Sequence, residues 1–161
     1  MQEKILILGV GNILLTDEGF GVRAVEYLQE HHVWPEHVRF LDGGTQGIML
    51  MLDIQECDLL VVLDVVLGGK APGTIYLIEG EDLRKSFIFR DSMHQTDLLD
   101  TLLTCELVGH RPQAVVFGLE PFDYKTISME LTPQARTCLP KFCRKVVTEL
   151  ARRGIKTGGG E

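Results

Sequence analysis

The segment Leu59-Leu60-Val61-Val62-Leu63-Asp64 decides the fold, because it is the strongest strand pattern in the 161-residue chain. Its apolar residues follow one another without a break, so the segment has no polar face. A strand of this kind is buried on both faces, which is typical of a central strand in a parallel sheet. We therefore expect residues 58–64 to form the middle of a sheet covered by helices on both sides.

Shorter apolar runs and amphipathic segments alternate before and after this strand, in the order of a βαβ chain. Further strands are predicted at residues 4–8, 38–41, 74–78 and 113–119, the third of these at an edge. Helices are predicted at residues 17–31, 45–54, 95–105 and 132–153, the last with Thr132 as cap and Pro133 as first residue. We expect a single domain over residues 1–155 and a flexible C-terminal tail over 156–161, with nothing for Gly158 to Glu161 to pack against.

The composition is that of a soluble globular protein, with 45% hydrophobic and 24% charged residues. A formal charge of −7 argues against nucleic acid or an anionic membrane as a partner. The chain has no apolar run of about eighteen residues, which a membrane span would need. Its short first apolar run ends in a glycine loop, unlike a signal peptide. We expect a cytoplasmic monomer whose four cysteines are free thiols.

The loop Gly9-Val10-Gly11 after the first strand raises the question of a dinucleotide site. The third glycine of that fingerprint would fall at Leu14, and the loop is too long. Asp17 and Glu18 lie where a helix start should receive a diphosphate, and their charges would repel it. These residues argue against nucleotide binding and leave the glycines a role in a tight turn.

Polar side chains are predicted to meet at the carboxyl edge of the sheet, where such folds bind ligands. Glu18 follows the first strand, Asp42 ends the second and Asp64 ends the third, while His94 precedes a helix. Asp17 is better explained as a helix cap, and Glu18 or His94 alone could also be structural. A carboxylate at the end of a buried strand needs a partner. Two carboxylates and an imidazole would suit a divalent ion such as nickel or zinc and would leave positions open.

One long segment resembles the opening motif of the hydrogenase maturation proteases, namely Gly9-Val10-Gly11-Asn12-Ile13-Leu14-Leu15-Thr16-Asp17-Glu18-Gly19-Phe20-Gly21-Val22. The likeness continues in order over nearly the whole chain, at residues 41–45, 64, 71–74, 94–95, 118–121 and 131–133. The resemblance implies an α/β fold that is a single three-layer αβα sandwich with a twisted, mostly parallel central sheet.

The resemblance also implies an activity and a site. The family removes a C-terminal extension from the large-subunit precursor of nickel-iron hydrogenases after nickel insertion, in a transient complex. Glu18, Asp64 and His94 match the three nickel-contacting positions, and Asp42 matches a further acidic position associated with activity. The nickel would then arrive with the substrate, although zinc or cadmium could occupy the site in the isolated protein.

The chemistry of hydrolysis stays open between two mechanisms. A metal could polarise the carbonyl or activate water, or a carboxylate could act as general base, as in an aspartyl protease, with Asp42 or Asp64 in that role. Neither a G-x-S-x-G nor an H-E-x-x-H motif is present. Two other classes of function remain: a nickel-binding chaperone or sensor, and a metal-dependent amidase for free peptides.

Overall fold

The structure is a computed structural model that describes residues 3–44, 51–79, 107, 109 and 112–158. The first half of the fold consists of β1 (Ile5–Val10), a 3-10 helix (Thr16–Gly19), α1 (Phe20–His31), β2 (Val38–Gly44) and α2 (Met51–Gln55). The second half consists of β3 (Leu59–Val65), β4 (Ile75–Glu79), β5 (Gln113–Leu119) and α3 (Pro133–Arg152).

The sheet has the strand order β2-β1-β3-β5-β4. All neighbours are parallel except β4, which runs antiparallel to β5. The position of β4 at one edge of the sheet was predicted. β3 lies in the middle, and all seven of its residues are buried. The α/β fold class and the central position of this strand, both expected from the apolar run, are therefore confirmed.

Two hydrophobic cores lie on opposite faces of the sheet. On one face, α1 and α3 cover alternate residues of the strands, and the rings of Phe20 and Phe142 pack edge to face with centroids 4.9 Å apart. On the other face, Ile54 of α2 packs against the intervening residues, including Leu8 and Val62. Successive side chains of a strand point to opposite faces of the sheet, so each strand contributes to both cores. The result is a helix–sheet–helix arrangement of three layers.

Helix α1 approaches the sheet so closely that backbone touches backbone. A Cβ atom added to Gly21 would lie 1.9 Å from the carbonyl oxygen of Leu63 and 2.6 Å from that of Val10. A Cβ atom on Gly9 would lie 2.7 Å from the carbonyl oxygen of Gly21. Only glycine fits at these two positions. The pair Gly9 and Gly21 therefore provides the close approach of helix and strand in this fold.

The chain end departs from the sequence prediction at one residue. Gly158 forms an antiparallel bridge with Val33, with two backbone hydrogen bonds of 2.8 Å. The expectation that Gly158 has nothing to pack against is wrong, because the strand-like backbone at Val33 pairs with it. The predicted helix at 95–105 and the predicted cap Thr45 lie outside the described residues. In the part of the chain that the structure describes, no helix is long and apolar enough to cross a membrane.

Candidate active site

The carboxyl ends of the parallel strands bring three acidic residues to one edge of the sheet. Glu18 lies on the 3-10 helix that follows β1, Asp42 lies in β2, and Asp64 is the next-to-last residue of β3. The 3-10 helix also contacts β3, so the segment that carries Glu18 lies beside the strand that carries Asp64. The shared edge predicted from the topology is thus present for these three residues.

Asp64 is a buried carboxylate with a fixed orientation. Its side chain is 2% exposed, and its Oδ1 accepts a hydrogen bond of 2.7 Å from the backbone N–H of Val65. Because Val62 and Val66 pack in the core on the α2 face, alternation places Asp64 on that face as well. A charge in such a position is costly unless polar groups or a cation compensate it, which is the chemistry expected of a binding site.

Glu18 is half-buried, and a neighbouring glycine sets the position of its backbone. Gly11 has a φ of 133°, and a Cβ atom there would lie 1.9 Å from the carbonyl oxygen of Glu18. Any side chain at position 11 would push the 3-10 helix away from the strand. The two glycines of the Gly9-Val10-Gly11 loop thus hold the helix start, and with it Glu18, against the sheet.

Asp42 shares the edge but not the face of Asp64. It is exposed, it lies level with Gly9, and β2 continues past it to Gly44 instead of ending at it as predicted. Phe40 packs on the α1 side and Leu41 on the α2 side, so alternation directs Asp42 to the α1 side. The structure therefore does not bring Asp42 next to Asp64, and a role for Asp42 stays a prediction.

His94 lies outside the described residues, so the three-residue metal set of Glu18, Asp64 and His94 also stays a prediction. Within the described ranges, no group of three or more His, Cys, Asp or Glu side chains is placed to hold a metal ion. Glu18 and Asp64 are the described members of the predicted set, and the imidazole would have to come from His94.

Asp17 is structural, as expected, but it does not cap its own helix. Its carboxylate is fully buried and accepts backbone hydrogen bonds from Phe122, Asp123 and Thr132 at 2.9–3.1 Å. It also accepts from the hydroxyl of Thr132, which in turn caps the N–H of Ala135 in α3. Asp17 therefore fixes the loop after β5 and the start of α3 to the edge of the sheet.

Thr16 joins the same loop in a strained conformation. Its φ is 54°, which is rare for a β-branched residue. Its N–H donates to the carbonyl oxygen of Ser128 at 2.9 Å, and its hydroxyl donates to that of Thr126 at 2.5 Å. Strain of this kind persists only where surrounding contacts enforce it, and it is common at functional sites. The opening motif and the loop at 123–128 are thus one connected unit.

Glu120 is a buried acid that the sequence alone does not single out. It is 7% exposed, and its Oε1 accepts hydrogen bonds from the backbone N–H of Gly68, the N–H of Lys70 and the hydroxyl of Tyr76, at 2.9, 3.4 and 2.5 Å. It therefore fixes the loop between β3 and β4, which begins after Val65, two positions beyond Asp64. The usable sequence signal is an acid directly after a buried strand, the same signal that marks Asp64.

The described cysteines are free thiols, as expected from their spacing. Burial raises the pKa of Cys143 to about 12, so this thiol stays protonated at neutral pH. Burial also raises the pKa of Cys138. Because the thiolate is the nucleophilic form, neither residue is placed to act as a catalytic nucleophile.

The fold and this edge define an α/β protein with three carboxylates at the carboxyl edge of its parallel strands. Residues 22–149 match the hydrogenase maturation protease family. The chain is 36% identical over 155 residues to the hydrogenase 2 maturation protease of Escherichia coli K12, covering 95% of this chain and 94% of that protein. It is 39% identical over 154 residues to the hydrogenase expression/formation protein HoxM of Azotobacter vinelandii, covering 94% and 74% of the two chains.

A solved structure agrees with these relatives. The hydrogenase maturating endopeptidase HybD from E. coli superposes on this chain with a TM-score of 0.91 at 34% identity, covering 97% of both chains. The chain therefore belongs to the hydrogenase maturation protease family, and it is a peptidase.

Proposed function

We propose that this peptidase removes the C-terminal extension of a nickel-iron hydrogenase large-subunit precursor after nickel has been inserted. It would act as a monomer in the cytoplasm, in a transient complex with the precursor. The observation that carries the proposal is the carboxylate of Asp64, buried at the end of the central strand beside the helix that carries Glu18. Family membership and the names of the relatives support a hydrogenase as the substrate.

In this proposal the nickel belongs to the substrate, where cysteine thiolates hold it. Glu18, Asp64 and His94 contact that nickel and complete its coordination with oxygen and nitrogen ligands, which suit a borderline ion. The positive charge of the nickel would attract the two carboxylates electrostatically, and a buried position such as that of Asp64 strengthens this attraction. The protease thereby distinguishes a nickel-loaded precursor from an empty one and holds the scissile bond beside the site. Zinc or cadmium could take the place of nickel in the isolated protein.

The orientation of Asp64 and the partial exposure of Glu18 support such a contact. The N–H of Val65 fixes Oδ1 of Asp64, so this carboxylate does not have to reorient when the substrate binds. Glu18 is half-exposed and can meet an ion that enters from the edge. Contacts that are positioned before binding reduce the entropic cost of association. We therefore assign the recognition of nickel to both carboxylates together with His94.

Hydrolysis requires that water adds to the peptide carbonyl carbon, that the C–N bond breaks, and that a proton passes to the leaving amine. The substrate-bound nickel could polarise the carbonyl or lower the pKa of the attacking water. In the alternative, a carboxylate takes the proton from water, as in an aspartyl protease. Asp42 or Asp64 could take that role: Asp64 lies at the proposed nickel contact, whereas Asp42 is exposed at the same edge on the opposite face of the sheet.

Incubation of the purified protein with nickel-loaded and nickel-free precursor tests the proposal directly, with mass spectrometry of the products. Cleavage of the loaded form alone supports it. Cleavage of both forms would identify a general peptidase, and cleavage of neither would leave a nickel-binding protein without this activity. Asp64→Asn serves as the inactive control, and its unfolding curve should remain cooperative.

The position of the metal provides a second test. Crystals soaked with nickel or cadmium should show anomalous scattering between the side chains of Glu18, Asp64 and His94. A metal bound only at other side chains would contradict the assigned contacts, even if the precursor were cleaved.

A further inference from the structure

Three large apolar side chains at the carboxyl edge of the sheet face solvent. Leu14 is 53% exposed, Ile127 is 85% exposed and Met129 is 59% exposed. Leu14 precedes the 3-10 helix, and the other two lie in the loop between β5 and α3. We call these three residues the rim patch. Exposed apolar side chains that cluster, rather than occur singly, are typical of interaction sites.

Backbone pairing holds the two segments of the rim patch together. Leu15 and Ser128 form a parallel bridge, in which Ser128 N–H donates to the carbonyl oxygen of Leu14 at 3.0 Å and Thr16 N–H donates to that of Ser128 at 2.9 Å. In this register Leu14 lies level with Ile127. The patch is therefore a fixed surface formed by two segments that are far apart in the sequence.

The rim patch and Glu18 belong to one hydrogen-bonded unit, formed by the opening motif and the loop after β5. Thr16, which lies between Leu14 and Glu18 in the sequence, is strained and only 6% exposed. Its hydroxyl donates a hydrogen bond to the loop after β5, at the carbonyl oxygen of Thr126. A strained, buried threonine is maintained where a function depends on the local geometry. The geometry therefore couples the position of the apolar patch to that of the carboxylate.

We infer that the rim patch binds the apolar part of the polypeptide segment that flanks the scissile bond of the substrate. This inference rests on the proposed function. Leu14 lies four positions before Glu18, and the N–H of Glu18 donates to the carbonyl oxygen of Leu15 at 3.0 Å, so the patch adjoins the segment that carries this carboxylate. Other exposed apolar residues lie apart from it on different elements, such as Val33 after α1 and Leu52 in α2.

The double variant Leu14→Ser/Ile127→Ser tests the inference with nickel-loaded precursor as the substrate. We expect KM to rise about tenfold, because the substrate and the transition state lose the same apolar contact, and we expect kcat to change less than about twofold. The matched control Val33→Ser/Leu52→Ser replaces two side chains of 69% and 72% exposure and should leave both constants unchanged. Thermal unfolding of both variants checks that the fold is intact.

The outcomes separate this inference from the proposed function. If the wild type fails to cleave loaded precursor, the proposed function is wrong and the inference falls with it. If the wild type cleaves and the rim variant has the KM of the control variant, the inference alone is wrong. A second copy of this chain could bind the rim patch instead, and sedimentation of the free protein tests for it. Self-association that the rim variant abolishes would identify such a contact and overturn the inference.

Discussion

The carboxylate of Asp17 accepts hydrogen bonds from both the backbone N–H and the hydroxyl of Thr132, which lies 115 positions further along the chain. The same carboxylate accepts from the N–H groups of Phe122 and Asp123. One buried acid in the opening motif therefore holds the loop after β5 and the start of α3. Its contribution should appear in the stability of the whole fold.

Asp17→Asn should lower the free energy of unfolding by about 2–4 kcal/mol, because an amide NH₂ would face N–H donors and leave them without an acceptor. Urea denaturation monitored by circular dichroism measures the change. Thr132→Ser is the matched control, since it keeps the hydroxyl that donates to Asp17 and caps α3, and it should remain close to wild type. If Asp17→Asn lowered the free energy of unfolding by less than about 0.5 kcal/mol, these hydrogen bonds would not contribute to the stability of the fold.

Glu120→Ala should release the loop between β3 and β4, because Gly68 N–H, Lys70 N–H and the Tyr76 hydroxyl all lose the same acceptor. We expect a destabilisation of about 2–3 kcal/mol and faster hydrogen exchange at the amides of Gly68 and Lys70. Glu120→Gln retains an Oε1 acceptor and should lie between wild type and the alanine variant. Unchanged exchange at both amides in Glu120→Ala would contradict the role given to Glu120.

Gly21→Ala should destabilise the protein by about 3 kcal/mol or more, because overpacking against rigid backbone cannot relax by a rotamer change. The added Cβ would lie 1.9 Å from the carbonyl oxygen of Leu63. Gly158→Ala is the matched control, since its Cβ would meet only the side chain of Val33 at 3.8 Å. Equal melting temperatures for the two variants would mean that α1 does not pack against β3 as described.

Asp42→Asn should keep the wild-type affinity for nickel-loaded precursor, because Asp42 is exposed and lies on the opposite face of the sheet from Asp64. Asp64→Asn should lose both affinity and processing. Calorimetric titration measures the affinity, and single-turnover cleavage measures the chemical step. A fall of about 10²-fold or more in the cleavage rate of Asp42→Asn would identify this residue as the general base, whereas an unchanged rate would favour metal-activated water.

An equal loss of affinity in Asp42→Asn and Asp64→Asn would contradict the separation of the two carboxylates. Glu30→Gln, which removes an exposed acid on α1, controls for the general effect of charge on binding to the precursor.

The elements that depend on local pattern could be predicted from the sequence. The bounds of β5 at Gln113 and Leu119, and the start of α3 at Thr132-Pro133, follow from an apolar run and a capping signal. The edge shared by Glu18 and Asp64 followed from the rule that parallel strands end together. That rule needs only the order of the elements.

Contacts between distant parts of the chain could not be predicted. The partners of Asp17 depend on how the loop after β5 folds back over the edge, and those of Glu120 lie 44–52 positions away. The face on which Asp42 lies depends on which residues of β2 enter each core, and the short apolar run at 38–41 does not reveal this. Such features arise from packing, which a periodic pattern does not encode.

The backbone contact between Gly21 and Leu63 also sets the spacing of the segments that carry Glu18 and Asp64. Gly21 follows Glu18 by three positions and Leu63 directly precedes Asp64, so main-chain atoms separate the segments that bear the two carboxylates. The spacing of these two segments is therefore set by backbone dimensions instead of by side-chain volume. Substitutions in the aliphatic core can therefore change thermal tolerance and leave the spacing of these two segments unchanged, so that durability and the geometry of the proposed contact can evolve independently.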